Sequence, residues 1–314
     1  MADHKELLTQ LYSNIARVIV GKNDPIVFTL VTLLCRGHLL LEDAPGLGKT
    51  MLARSLAKSL KMDFKRVQCT PDLLPSDITG VAIYNQQTGG FDFVKGPVFT
   101  NILLADEINR TTPRTQSALL EAMAENQVTV DGTTHILTDA FMVIATQNPI
   151  EFHGTYPLPE AQLDRFFMRI SLGYPKLQDE VKLMQMQQDH HPIDDIGAVL
   201  SPESIVKMQK AVTRIHVEPS VQHYIAEIVA ATRHHPDIEL GASPRGSLAL
   251  MKASQAMAYV NGQTFVDPGI IKRIIVPVLG HRIIPKSQAQ LSGKGVGDIL
   301  KSVLESVAVP VKSA

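Results

Sequence analysis

Six consecutive residues carry the densest chemistry in the chain: Pro45-Gly46-Leu47-Gly48-Lys49-Thr50, preceded by an apolar run and followed by an amphipathic helical pattern. Glycines at these positions let backbone N–H groups turn inward around phosphate oxygens. The N-terminus of the following helix adds partial positive charge. A lysine so placed reaches β- and γ-phosphates, and the neighbouring hydroxyl ligates Mg²⁺. The predicted contact stretch runs from Asp43 and Ala44 through Pro45, Gly46, Leu47, Gly48, Lys49 and Thr50 to Met51. The strict pattern G-x-x-x-x-G-K-[ST] fails at its first position, where Asp43 stands. Aspartate tolerates left-handed backbone better than most residues. The turn is therefore expected to survive, with a carboxylate near phosphates as its oddity.

Asp106 and Glu107 end a second apolar run, 57 residues after Lys49. Asp106 is expected to hold Mg²⁺ through water, and Glu107 to polarise an attacking water. A helix N-terminus would also favour acids here, since Thr112-Pro113 soon starts a helix. Asn148, at the end of the next run, is an amide placed to bond both γ-phosphate and water; a turn residue before Pro149 is the plain alternative. Arg165, in Leu163-Asp164-Arg165-Phe166, reads plainly as a solvated residue at a strand entrance. Arg245 follows Ser243-Pro244 in the first turn of a helix, where the dipole disfavours cations, so a nearby anion such as γ-phosphate would compensate. The pairs His190-His191 and His234-His235 read as solvated surface, and the eleven Met residues as core filler.

Positioning these groups requires a scaffold. Apolar runs at 38–43, 64–68, 101–106, 140–146 and 166–172 alternate with helical patterns, the signature of a parallel sheet with crossover helices. Two hairpins interrupt it, 81–94 around Thr88-Gly89-Gly90 and 128–137 around Asp131-Gly132, a strong two-residue turn signal. After Pro175 the strand pattern stops. Helices are predicted to start at Ser201-Pro202, Glu218-Pro219, Ser243-Pro244 and Asp267-Pro268. In three of these a capping Ser or Asp precedes a proline whose missing N–H is no loss at the first helical position. The expected organisation is an α/β nucleotide-binding core over 1–175 and an all-helical second domain over 176–314.

The 314 residues suffice for one large domain or two, and a 45% apolar share can bury a sizeable core. Lys+Arg is 30 and Asp+Glu 31, a balance that argues against a strongly basic nucleic-acid surface and against an acidic disordered chain. Two cysteines, Cys35 and Cys69, exclude a disulfide scaffold or a four-thiolate zinc site and suit a cytoplasmic protein. No apolar run reaches the length of a membrane span, and the first twenty residues read as an amphipathic helix rather than a signal peptide.

The runs VQCTPDLLPSDITG (67–80), GPVFTNILLADEINRTTPRTQSALLEAM (96–123), ATQNPIEFHGTYPLPEAQLDRF (145–166) and ASPRGSLAL (242–250) give the chain a resemblance to the MoxR family of AAA+ ATPases over nearly its whole length. The resemblance implies a five-stranded AAA+ core, a helical lid and a homo-oligomeric ring, usually a hexamer. It casts Lys49 and Thr50 as Walker A and Asp106 and Glu107 as Walker B. By the same match Asn148 is sensor 1, Arg165 the arginine finger and Arg245 sensor 2, while Val20 and Gly21 sit where adenine is contacted. The implied cofactors are ATP and Mg²⁺. The implied role is a chaperone that remodels or matures protein complexes, sometimes aiding metal insertion, often with a partner bearing a von Willebrand factor A domain. A motor subunit of a magnesium-chelatase-like complex, which shares the hairpin insertions, and a nucleotide-gated scaffold with little turnover are the alternatives. The chain departs from the family at Asp43-Ala44, where Gly-Val is usual, and at Phe152-His153, where Gln-Glu is common.

Overall fold

The structure, a computed structural model, describes residues 2–149, 154–188 and 190–310. The departure at Phe152-His153 lies outside the described residues. Helices α1 (Ala2–Ala16) and α2 (Asn23–Leu34) come first. On α1, Leu8, Leu11 and Ile15 recur at helical spacing and are buried, which fixes the face it turns inward. Strand β1 (Leu39–Glu42) runs through the glycine loop into α3 (Lys49–Ser59). Then come β2 (Phe64–Gln68), the short α4 (Pro75–Thr79), and a hairpin of β3 (Gly80–Asn85) and β4 (Gly90–Lys95). Strand β5 (Ile102–Asp106) leads through a single 3₁₀ turn to α5 (Pro113–Glu125), started by Thr112, whose hydroxyl accepts from Thr115 N. A second hairpin, β6 (Gln127–Val130) and β7 (Thr133–Ile136), precedes β8 (Met142–Gln147), α6 (Glu160–Leu163) and β9 (Met168–Ile170).

The five predicted apolar runs are the five strands of one parallel sheet, ordered β2-β5-β8-β1-β9. Its strands are apolar on both faces because both faces are covered. Leu39, Leu41, Ile102, Leu104, Met142 and Ile144 enter one apolar cluster, while Leu40, Leu103, Ala105, Val143 and Ala145 enter a second around α5. The alternation follows from the two-residue period of a strand. The loops after β1, β5 and β8 open at the carboxyl ends of neighbouring strands, where ligands bind in sheets of this kind. Both inserted hairpins form as predicted. In the second, Asp131 and Gly132 have φ of 48° and 78°, the pair of positive values that a two-residue type I′ turn demands.

The helices that follow are α7 (Leu177–Met186), α8 (Pro202–Val212), α9 (Pro219–His234), α10 (Pro244–Val260), α11 (Pro268–Leu279), α12 (Ser287–Leu291) and α13 (Val296–Ser306). Four begin at the predicted prolines. Ser201, Ser243 and Asp267 cap with their side chains, whereas Glu218 makes no capping bond. One expectation needs correction. The strand pattern does not stop after Pro175, because β10 (Ile238–Leu240) pairs antiparallel with β11 (Ile284–Pro285). At two and three residues these strands are too short to display a two-residue period. Pro285 fits because a two-stranded ribbon has only edges.

The larger apolar cluster is continuous from α1, α2 and α3 through α8, α9, α10, α11 and α13, so the helical region shares a core with the glycine-loop side of the sheet. His38 ties the start of β1 to its surroundings. Its Nδ1 accepts from Val143 N at 2.9 Å, so Nε2 carries the proton and donates to Met123 O at 2.9 Å. Burial pushes its pKa down to about 4. Both cysteines are free thiols, and burial, with Asp106 and Glu107 adding to it, pushes Cys69 up to about 12.

Candidate active site

The glycine loop leaves β1 and closes on α3 with φ of 83° at Gly46 and 90° at Gly48, values favourable to glycine. A Cβ at either position would meet nothing within 4 Å, because it would project into the open space of the loop. No side chain caps α3, whose first residue is Lys49. Its first-turn N–H groups are thus left for an anion. Pro45, Gly46, Gly48, Lys49, Thr50 and Met51 line one side of a cavity of about 390 Å³, and Asp106, Glu107 and Asn148 line it from β5 and β8. A second cavity of about 320 Å³ lies across the same glycines. Val20, Leu47, Met51, Pro175 and Leu183 give it apolar walls, and Lys22, Gln187 and His191 give it polar ones, a mixed lining that could take a flat heterocycle with polar edges. Gly21 borders it in sequence without lining it. With φ of 71° and the Asp179 carboxylate packed against its Cα, Gly21 suits glycine.

Asp43 corrects an expectation. It is not in a left-handed conformation, and its carboxylate does not face the phosphate cavity. The carboxylate is buried against the segment after β9, where Oδ1 accepts from Ser171 Oγ at 2.5 Å and Gly173 N at 3.0 Å, and Oδ2 from Leu172 N at 2.6 Å. What Asp43 offers the loop is its carbonyl, which accepts from Lys49 Nζ at 2.7 Å. Ala44 lines neither cavity. Burial pushes the Lys49 pKa down, opposed by the charges of Asp43, Asp106 and Glu107. A desolvated ammonium held this way gains strongly from an arriving phosphate.

The two acids are held by groups that sequence reasoning had not singled out. Thr146, fully buried on β8, donates Oγ1 to Asp106 Oδ1 at 2.6 Å and accepts from Glu107 N at 2.8 Å. Asp106 Oδ2 accepts from Arg66 Nη2 at 2.6 Å and Nε at 3.1 Å. Arg66 Nη2 also donates to Gln68 Oε1, and Gln68 Nε2 to Glu107 Oε2 at 2.7 Å. Arg110 adds a 3.2 Å ion pair to Glu107. Glu107 has φ of 57°, a conformation that is strained for its type and is retained where tertiary contacts over-determine it. Here the bond from its N–H to Thr146 does so. The signal available in the sequence was Arg66 and Gln68 two residues apart, hence on one face of a strand. The Thr50 hydroxyl and Asp106 carboxylate supply hard oxygen donors on one cavity, and Asp106 already binds positive charge there, so the residues present fit Mg²⁺.

Arg165 and Arg245 do not line this cavity. Arg165 is exposed just after α6 and donates Nη1 to Leu120 O at 2.7 Å. Arg245, 76% exposed at the start of α10, lies 3.9 Å from Asp164 Oδ2. The anion near this first-turn cation is therefore Asp164. Among the described residues no group of three or more His, Cys, Asp or Glu side chains is placed to hold a metal ion by itself; His190 pairs with Asp195, and His235 bonds Ser302. No described helix is long and apolar enough to cross a membrane.

Comparison with known proteins agrees with this arrangement. Residues 38–168 match the ATPase family associated with various cellular activities (AAA), and residues 230–303 match the AAA lid domain. The chain is 49% identical to the uncharacterized protein YeaC of Bacillus subtilis, over 99% of this chain and 97% of that one. It is 37% identical to Chaperone MoxR1 of Mycobacterium tuberculosis, over 100% and 85%. The crystal structure of a proposed ATPase from Cytophaga hutchinsonii superposes with a TM-score of 0.90 at 38% identity, covering 98% of this chain and 97% of that one. With a parallel five-stranded core, a glycine loop facing two acids and a helical C-terminal region, the chain belongs to the MoxR family of AAA+ ATPases.

Proposed function

We propose that this protein is a Mg²⁺-dependent, ATP-hydrolysing chaperone that remodels protein complexes and works as a ring, with each active site completed by the neighbouring subunit. The observation that carries this reading is the division of the charged residues. Lys49, Arg66, Asp106 and Glu107 share one cavity with Thr50 and Asn148, and Arg66 is committed there to Asp106, while Arg165 and Arg245 stand outside it.

ATP would lie with its base in the second cavity beside Val20 and Met51 and its phosphates against the N–H groups of Gly46, Gly48 and the first turn of α3. Lys49 would exchange the Asp43 carbonyl for phosphate oxygens. Thr50 and Asp106 would hold the Mg²⁺, whose charge balances the phosphates. Glu107, oriented through Gln68 and Thr146, would take the role of base toward water, and Asn148 would bond water and γ-phosphate. Arg165, with Arg245 beside it, would serve the nucleotide of an adjacent subunit. An arginine acting on a transferring phosphoryl group is worth roughly 10³–10⁵ in rate. The exposed Ile83, Tyr84 and Phe91 of the β3–β4 hairpin support contact with a protein client, and similarity to a chaperone supports the same role. A hexameric ring, a von Willebrand factor A partner and a cytoplasmic location complete the proposal.

The test is the ATPase rate. Rate per subunit should rise with protein concentration as rings assemble. Glu107→Gln should lower turnover by roughly 10²–10⁴ with ATP affinity kept within a few-fold. Arg165→Ala should bind ATP and hydrolyse it poorly, and mixing it with Lys49→Ala should restore part of the rate. Concentration-independent turnover, with no recovery in verified mixed rings, would overturn the shared site.

A further inference from the structure

Asp164 stands immediately before Arg165 and divides its two oxygens between two arginines of the helical region. Oδ1 accepts from Arg282 Nε at 2.7 Å, and Oδ2 faces Arg245 Nη1 at 3.9 Å. The two contacts differ in kind. The Arg282 side chain is only 4% exposed, and its remaining donors go largely to backbone carbonyls of the same segment. Nη2 donates to Phe166 O at 2.7 Å and Asp164 O at 3.4 Å, and Nη1 to Phe167 O at 3.2 Å and to Val278 O. His281 adds a bond from Nε2 to Phe166 O at 2.9 Å, and burial with the neighbouring Arg282 charge holds that imidazole neutral. The loop between α11 and β11 thus grips the peptide that presents Arg165.

Such a fork of charge-assisted bonds in a buried site is rigid and expensive to break. The 3.9 Å pair to the exposed Arg245 is the opposite. Surface ion pairs of that length contribute little, so Arg245 can leave Asp164 for a phosphate at small cost. A carboxylate serving only to tie two elements together would not need its second oxygen turned toward a first-turn cation.

We propose that Asp164 and Arg282 are positioning residues for hydrolysis in the adjacent subunit. They aim Arg165 and Arg245 as one two-arginine face, and they make that face follow the helical region of the subunit that supplies it. The proposal rests on the shared-site reading above. Arg245 lies at the start of α10 and Arg282 just after α11, so both arginines that meet Asp164 belong to the helical region.

Two variants separate the parts. Asp164→Asn keeps an acceptor for Arg282 Nε and removes the charge facing Arg245. Arg282→Lys keeps a buried cation beside Asp164 and loses the fork to Phe166 and Phe167. Each is prepared as assembled rings, verified by mass, and assayed for binding of a fluorescent ADP analogue and for steady-state ATP hydrolysis. The expected result is an unchanged dissociation constant and KM within about threefold, with kcat lowered roughly 10–100-fold, as small misplacements of a catalytic group produce. Mixing either variant with Lys49→Ala, which lends intact arginines, should restore activity as it does for Arg165→Ala. Weakened analogue binding with kcat unchanged would overturn the proposal. So would absence of recovery for both variants in mixtures where Arg165→Ala recovers. If Arg165→Ala also fails to recover, the shared site falls and this proposal with it.

Discussion

Replacing Asp43 with alanine removes the acceptor for three hydrogen bonds, from Ser171 Oγ, Leu172 N and Gly173 N. The serine hydroxyl can rotate to another partner, but the two backbone donors cannot. An orphaned buried donor costs about 1–3 kcal/mol. The pair therefore costs about 2–6 kcal/mol, toward the lower end because Gly173 is only half-buried. Asp43→Asn keeps one carbonyl oxygen and sets an NH₂ group against a backbone N–H, so it should lose about half as much. Nucleotide affinity should change by no more than a few-fold, because the Asp43 charge reaches Lys49 but its carboxylate does not line the phosphate cavity. The carboxylate faces away from the phosphate cavity, and Lys49 is held by the Asp43 carbonyl, which both substitutions retain. The assay is urea denaturation of the nucleotide-free protein, paired with titration of ATP well below the unfolding transition. A carboxylate that faced the phosphates would give the reverse pattern. Alanine would then tighten ATP binding tenfold or more and leave stability nearly untouched, and that outcome would refute the argument.

Two further consequences follow from buried polar contacts. Thr146→Val preserves shape but strips the donor to Asp106 and the acceptor for the Glu107 N–H. It should cost about 1–3 kcal/mol in denaturation and, by letting both acids turn, roughly 10²-fold in turnover. Thr146→Ser should recover most of both, and full turnover in the valine variant would show that the acids orient without it. His38 stays neutral when folded down to about pH 4, whereas an unfolded chain protonates it near ~6.5. The folded state therefore loses stability as pH falls from about 6.5 to 4, by about 3 kcal/mol from this residue. Denaturation midpoints at pH 7 and 4.5 should show a correspondingly smaller drop for His38→Gln, and an identical drop would assign the acid sensitivity elsewhere.

The sequence by itself determined what is local or periodic. The five strands, both hairpins and the proline-started helices were legible because apolar alternation, turn dipeptides and caps act over a few residues. So was the grouping of Lys49, Thr50, Asp106, Glu107 and Asn148, because a parallel sheet brings the carboxyl ends of its strands to one edge. The ribbon of β10 and β11 was not, since two- and three-residue strands leave no period to read. Tertiary structure alone decided where each long or buried polar side chain turned. Asp43 meets a segment 128 to 130 residues away, Thr146 bridges to acids 39 and 40 residues before it, and Arg282 closes on Asp164 across 118. A pattern of residue types records that a polar group must be satisfied when buried, but not by whom. That choice belongs to the packing of elements, and here it turned a carboxylate away from the phosphates and set two arginines outside their own subunit's cavity.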